Sequence, residues 1–391
     1  MRRLSILGVS GSIGESTLRV IEAMEAARGG PAFEVVAVTG NANVAALARA
    51  ARRLRADIAV SADPDALPAL REALAGSGVE AAAGGQALLE AAGRPADVVM
   101  SAIIGTAGLA PTLAAVRAGA DILLANKECL VAAGALFLDE IGRAGGRLLP
   151  VDSEHNALFQ ILSGHEGAEI ERLVLTASGG PFRTMSRERM RRVTPAEARA
   201  HPSWSMGERI TIDSATLFNK ALEMIEAWHL FDVPPERIEV VVHPQSVVHA
   251  LVGLVDGSML AHLGPPDMAV AIGHALAYPG RVPLPVDRLD LAALGQLAFE
   301  PPDPGRFPAL RLAREAMAAG GVAPCVMNGA KEIALGAFIA GRVGFLEIAE
   351  VAEATMAHLA DLAPATDLEA VFAADAEARR VAADLVRARA A

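Results

Sequence analysis

Cysteine is almost missing from this chain: Cys129 and Cys325 are the only two in 391 residues. Two thiols are too few for a disulfide framework, and the composition fits a reducing, cytoplasmic compartment. Positive charge is also in short supply, with 35 basic residues against 46 acidic ones and a formal net charge of −11. This argues against a general binder of nucleic acid or anionic membrane, and leaves room only for a local basic pocket around a small anion. A secretory signal is not expected, because Met1 and two arginines lead straight into LSILGVSGSIG, where glycine interrupts the apolar stretch. The one long charge-free run, residues 98–116 (VVMSAIIGTAGLAPTLAAV), is punctuated by Gly105, Gly108 and Pro111. Its first half reads as a buried strand of the parallel type, not as a membrane span. Internal repeats are absent too.

What is present is a globular composition, 52% hydrophobic and 21% charged, long enough for two or three domains. Up to about residue 150, short apolar runs (LSIL, EVVAV, DIAV, DVVMSA, DILLA) alternate with helical patterns such as NVAALARAARRLRA. Such alternation predicts a parallel sheet with helices on both faces. From 151 the texture changes to α+β: RLVLTAS reads as a strand and SATLFNKALEMIEAWHLF as a helix. IEVVVHPQSVVHALVGLVDGSMLAHL reads as antiparallel strands with an Asp256-Gly257 hairpin turn. Prolines then mark a linker, and the remainder is Ala-rich and helical. The expected regions are 1–150, 151–285, a linker over 286–311, and a helical domain over 312–391.

After the first strand comes Gly8-Val9-Ser10-Gly11-Ser12-Ile13-Gly14, followed by a helix. Glycines there permit a tight turn, and free N–H groups at the helix start suit a pyrophosphate. The spacing is a variant of the dinucleotide fingerprint, unspecific by itself, and a plain strand-to-helix turn is the other reading. The second strand ends in Thr39-Gly40-Asn41-Ala42-Asn43 without the acid that usually holds an NAD ribose, which tilts the reading toward NADPH.

LLPVDSEHNALFQ (148–160) follows a buried strand with Asp152 and Glu154, two residues apart. Read as extended chain, both carboxylates project from one face with Cα atoms roughly 7 Å apart, and a divalent cation would relieve their repulsion. Solvated acids in a polar turn are the alternative. Further on, Asn219 and Glu223 are four apart on a helix with Lys220 beside them, and Glu223 would complete a three-carboxylate cation site. Ser178-Gly179-Gly180 closes a strand with a hydroxyl and bare N–H groups. Ser214, at an expected helix start, and Lys220 add to a candidate phosphate cradle. Lys127 follows a parallel strand, where such sheets bind ligands. HPSWSMG (201–207) has the make-up of a lid, with Trp204 between small residues. His243 and His249 read as strand or core histidines.

Together GVSGSIG, LLANKE, LLPVDSEHNALFQ, SGGPF, HPSWSMG, IDSATLFNKALEMIEA and HPQSVVH resemble the 1-deoxy-D-xylulose 5-phosphate reductoisomerase family, nearly end to end. The pairing of PVDSEHN with NKALEMIEA is the most specific mark. The resemblance implies a Rossmann-like NADPH-binding domain, a central catalytic domain and a C-terminal helical domain. It implies Mg²⁺, Mn²⁺ or Co²⁺ on Asp152, Glu154 and Glu223. Substrate contacts would come from Lys127, Ser153, Glu154, Ser178, His201, Ser214, Asn219, Lys220 and Glu223, with Lys127 and His201 also counted among the catalytic groups. Cofactor contacts would come from Ser10, Gly11, Ser12, Ile13, Asn126, Glu128 and Gly207, with Asn41 and Asn43 added at the second strand's end. The partner is a phosphorylated sugar, and a homodimer is implied.

The chain departs from the family pattern in places. Val9-Ser10 stand for Ser-Thr, Cys129 for Ser, and Ala42 for a common basic residue. NGAKE (328–332) replaces Asn-Ala-Ala-Asn-Glu, in a segment expected to lie far from the chemistry. Two rival readings are a metal-free nicotinamide dehydrogenase of a small phosphorylated substrate and a non-enzymatic nucleotide-binding scaffold. Loss of activity with EDTA separates the first, and absence of NADPH oxidation the second.

Overall fold

The apolar runs of the N-terminal half pair edge to edge as one sheet. In the computed structural model, which describes residues 1–165, 169–200, 204 and 207–390, they form β1 (Arg2–Leu7), β2 (Phe33–Gly40), β3 (Ile58–Ser61), β4 (Glu80–Ala83), β5 (Val98–Ser101), β6 (Asp121–Leu124) and β7 (Leu148–Pro150). The order is β4-β3-β2-β1-β5-β6-β7, and every pairing is parallel. The chain winds outward from β1 to β4, then restarts on the other side at β5. Ligands of such sheets bind beyond the strand ends at this reversal, so the loops after β1, β5 and β6 are the ones to inspect. β3 and β5 are buried along their whole length, as a sheet covered on both faces requires. The core gathers Leu4, Ile6, Val35, Val38, Val98, Met100 and Leu123 with Leu47 and Ala51 of helix Val44–Leu54. β4, sequence EAAA, carries no strand signal; pairing with β3 makes it an edge strand despite poor propensity.

Two compact units result. Met1–Cys129, Phe137–Phe159 and Asp267–Asp287 form the first, and Leu130–Leu136, Gln160–Pro266 and Arg288–Ala391 the second. They follow a different division from the sequence regions, because the chain returns to the first unit at Asp267. Helix Ala269–Ala277 adds Ile272, Ala275 and Leu276 to the first unit's core, and Asp267 pairs with Arg19 at 2.6 Å. Tyr278 follows that helix; its ring lies 5.2 Å from Phe159 and under the Arg147 guanidinium at 5.6 Å.

The second unit holds β8 (Ile170–Ala177), β9 (Ile238–Val242), β10 (Val248–Leu254) and β11 (Met259–Leu263), in the order β11-β10-β8-β9. The β10–β11 hairpin turns at Asp256-Gly257 as expected, with Gly257 at φ +85. β9 corrects the all-antiparallel reading: it lies parallel to β8, which separates it from β10. Parallel neighbours need a crossover, and the helices between Arg187 and Phe231 supply it. The proline-rich stretch is pinned to β9, where Val242 and Glu300 exchange two 2.8 Å hydrogen bonds and Phe299 stacks on His243. Helices Ala309–Ala319, Ala323–Ile339, Glu347–His358 and Leu368–Ala390 follow, as the Ala-rich sequence predicts. Among the described residues, no helix is long and apolar enough to cross a membrane.

Candidate active site

The glycine loop is held by β2. Gly8 and Val9 both donate to the Thr39 carbonyl, and Gly8 N–H also lies 3.1 Å from Thr39 Oγ1. Two of its glycines are dictated by close approach. A Cβ on Gly8, at φ +91, would sit 2.6 Å from the Ala102 carbonyl oxygen, and one on Gly14 would sit 2.2 Å from that of Val9. Gly11 is different, since a Cβ there meets nothing nearer than 3.5 Å. It is the N-cap of helix Ser12–Arg28 and offers no capping side chain, and a helix start of that kind suits an anion. Ser10 Oγ lies 3.0 Å from where Gly40 would carry a Cβ, which places the hydroxyl over the end of β2. Asn43 caps helix Val44–Leu54, accepting from Ala46 N–H, and the Asn41 carbonyl accepts from Ser61 Oγ. Sequence reasoning missed this task of Thr39, because its partner Gly8 lies 31 residues away.

After β6 comes the Asn126-Lys127-Glu128 segment. Asn126 is buried, and its amide donates to the Ile103 carbonyl and, at 3.1 Å, to that of Gly105. Its side-chain N–H groups therefore clamp the loop after β5, a positioning task not foreseen. Lys127 is 5% exposed, and its ammonium is ion-paired with Asp152. Glu128 opens helix Glu128–Ala144.

The acids after β7 are not on extended chain. Helix Ser153–Leu162 begins at once, with the Asp152 carbonyl accepting from Asn156 N–H at 2.8 Å, so Asp152 is the N-cap and Glu154 lies in the first turn. Residues two apart on a helix do not share a face; that part of the expectation is wrong. The helix start itself favours negative charge, and the Lys127 ammonium adds to it. Ser153 Oγ donates to Glu154 at 2.7 Å.

In the second unit, Glu223 is 1% exposed on helix Phe218–Phe231. Asn219 and Lys220, one turn earlier, both donate to its carboxylate. Ser178 Oγ accepts from Gly180 N–H at 3.2 Å. A Cβ on Gly180 would lie 2.9 Å from Ala215 Cα and 3.1 Å from the Ser214 carbonyl oxygen, so the Ser178 loop packs directly on Ser214 and Ala215. Ser214 is not at a helix start: its helix runs Glu208–Ala215, and the serine sits in the last turn. The helix-start argument for an anion therefore does not hold at Ser214; its proximity to the Ser178 loop takes its place. Gly207 is the N-cap of that helix. Trp204 is half-buried, with its ring 6.1 Å from that of His249. His201 and most of the expected lid lie outside the described residues. His243 and His249 are buried on or beside strands. NGAKE is not remote from the candidate site, because Lys331 Nζ lies 2.9 Å from Asp213, the residue before Ser214.

Each unit thus presents a carboxylate neutralised by a buried lysine, Asp152 by Lys127 and Glu223 by Lys220. All-oxygen donors of this type suit a hard divalent cation. Three family profiles match the chain: 1-deoxy-D-xylulose 5-phosphate reductoisomerase over residues 4–134, its C-terminal domain over 148–231, and the DXP reductoisomerase C-terminal domain over 263–381. A 1-deoxy-D-xylulose 5-phosphate reductoisomerase of Sinorhizobium medicae is 62% identical over 98% of both chains. The chain belongs to the 1-deoxy-D-xylulose 5-phosphate reductoisomerase family. A reductoisomerase of Rhizobium meliloti is 61% identical over 99% of this chain and 98% of its own. The Zymomonas mobilis reductoisomerase solved in complex with NADPH superposes with a TM-score of 0.91 at 52% identity, covering 98% of this chain and 99% of that one. A DOX-P reductoisomerase complex with NADPH, fosmidomycin and magnesium gives 0.92 at 40% identity, covering 99% and 98%. The fold that the resemblance implies, a Rossmann-like parallel sheet, a central α+β region and C-terminal helices, is the fold observed, with the central sheet mixed where antiparallel strands were expected.

Proposed function

We propose that this chain converts 1-deoxy-D-xylulose 5-phosphate to 2-C-methyl-D-erythritol 4-phosphate, with NADPH and a divalent cation. The observation that carries the site assignment is the pair of buried lysine–carboxylate contacts, Lys127 with Asp152 and Lys220 with Glu223. Asp152, Glu154 and Glu223 would hold Mg²⁺, Mn²⁺ or Co²⁺. When bound, the cation supplies Lewis-acid stabilisation of negative charge on substrate oxygens during rearrangement, and NADPH supplies the hydride.

The chain's own residues bind and orient. Lys220 and Asn219 turn their donors from Glu223 to the substrate phosphate, joined by the hydroxyls of Ser178 and Ser214. Binding at that remote end positions the reacting end. Lys127, buried beside the strand ends, donates to a substrate oxygen where negative charge develops, and Ser153 contributes a hydroxyl. His201 is assigned a substrate contact on family grounds. Ser10, Gly11, Ser12 and Ile13 hold the NADPH phosphates through the helix start, with Asn41, Asn43, Asn126, Glu128 and Gly207 completing its contacts. The segment 201–207, which carries Trp204, is assigned the part of a lid that excludes water, on its sequence make-up. A cytoplasmic homodimer is part of this reading. It is supported by two buried free thiols and by the outer edge of β11, where Met259 and Leu263 are exposed.

The test is NADPH oxidation with 1-deoxy-D-xylulose 5-phosphate. Turnover is expected with Mg²⁺ or Mn²⁺, is abolished by EDTA and is restored by Mn²⁺. Turnover that persists in EDTA would return the reading to a metal-independent dehydrogenase.

A further inference from the structure

Lys331 is among the most deeply buried side chains of the molecule, 2% exposed in the middle of helix Ala323–Ile339. Its ammonium lies 2.9 Å from Asp213 Oδ2, and Asp213 is itself only 8% exposed. The two are 118 residues apart in sequence. Asp213 belongs to helix Glu208–Ala215, eight residues long. A helix of two turns does not hold its own pose and takes it from what it packs against. On one side the Ser178 loop presses on Ser214 and Ala215, at a contact so close that Gly180 has no room for a Cβ. On the other side stands helix Ala323–Ile339, with Arg209 beside Gly336 and Asp213 on Lys331. Apolar packing alone tolerates sliding and rotation. A buried charge pair does not, because separating it strands both charges in a poor solvent.

We propose that Lys331 is a positioning residue for phosphate recognition, acting through Asp213 to fix the rotation of the short helix that carries Ser214. The inference rests on the assignment of Ser214 to the substrate phosphate. Lys331 touches neither substrate nor cofactor; it sets where the Ser214 hydroxyl points relative to Ser178.

The experiment is steady-state kinetics of K331M, K331R and S214A with 1-deoxy-D-xylulose 5-phosphate, alongside competition by inorganic phosphate and a thermal melt. K331M is expected to raise KM for the substrate about tenfold, the scale of one lost hydrogen bond, with kcat within about twofold. Phosphate inhibition should weaken by the same factor, while KM for NADPH stays unchanged. K331R, which keeps the charge, should restore substrate KM to within about threefold of the parent. A folded K331M whose substrate KM and phosphate inhibition stay within about twofold overturns the proposal, even if its melting temperature falls. An equal rise in KM for NADPH overturns it too. If K331M does not fold, D213N and K331N are read by the same criteria. S214A separates the two layers: unchanged phosphate inhibition in S214A means the phosphate assignment has failed. Weakened inhibition in S214A with none in K331M means only the Lys331 inference has failed.

Discussion

The two units build their expected phosphate cradles in different ways. In the first, the cradle after β1 is main chain: N–H groups at the start of helix Ser12–Arg28, fixed by glycines and by Thr39. In the second, the candidate contacts are side chains: Ser178 after β8, which accepts from Gly180 N–H, Ser214 on helix Glu208–Ala215, and Asn219 and Lys220 on helix Phe218–Phe231, which both donate to Glu223. A main-chain cradle tolerates changes of side chain as long as the backbone path survives, which accounts for Val9-Ser10 in place of the more usual pair. A side-chain cradle has no such latitude, because one substitution removes the contact itself.

The largest effect is expected from side-chain contacts, which the first unit also supplies through Glu154, on removal of charge from an acid. Glu223→Gln and Glu154→Gln are each expected to lower turnover more than about 100-fold, as loss of a cation ligand should. NADPH affinity, measured by fluorescence titration, should be preserved in both. Near-normal turnover at low metal concentration in either variant removes that residue from the ligand set.

Next is Lys220→Ala. Losing the point charge on the phosphate should raise substrate KM roughly 30-fold with a smaller effect on kcat. An analogue lacking the phosphate should be used about equally by parent and variant. Strong discrimination against the variant with that analogue would break the phosphate assignment.

The main-chain side of the comparison is sharpened by two glycines three residues apart. Gly14→Ala forces a Cβ to 2.2 Å from the Val9 carbonyl oxygen, whereas Gly11→Ala meets only an ordinary contact at 3.5 Å. NADPH dissociation constants should rise about tenfold or more for the first, through distortion of the loop, and about threefold or less for the second. Equal effects would mean that loop shape is not what the cofactor reads.

A last test, of acid stability and not of the site, has its own reporter in each unit. Burial pushes His229 in the second unit down to about 4, and burial with the nearby Arg281 charge does the same to His274 in the first. A histidine kept neutral in the folded chain contributes full stability above its unfolded pKa. As pH falls from about 6.5 toward 4, the unfolded chain takes up the proton first, and on the order of 3 kcal/mol per histidine is lost. Thermal melts between pH 7 and 5 should show the decline, and His229→Gln or His274→Gln should flatten it. A pH dependence untouched by both substitutions would reassign the loss to other groups.

The sheet was legible because its strands are apolar runs separated by helical periodicity; only β4, an alanine edge strand, carried no signal. The residue types of the site were legible as well, but their local geometry was less so. Asp152-Ser153-Glu154 carries a helix-start signature, an Asp cap with an acid in the first turn, yet the apolar run before it made extended chain the nearer reading. Ser214 was placed at a helix start because the six residues before Ser214 that open its helix, from Glu208, show no strong apolar periodicity. Thr39 under Gly8, Asn126 under the β5 loop and Lys331 under Asp213 were beyond reach. Each acts on a partner far along the chain, and no local pattern encodes such a meeting.

Tyr278, wedged between Phe159 and the Arg147 guanidinium, is the only tyrosine in the chain, and it lies in the first unit. Both tryptophans, Trp204 and Trp228, lie in the second. The molecule therefore carries its own optical labels, one colour for each unit. Indole emission follows the second unit alone, and the phenol part of the ultraviolet difference spectrum, once the overlapping indole part is subtracted, follows the first. Denaturation recorded at both signals tells whether the units melt as one body or in sequence, with no dye attached and no residue replaced.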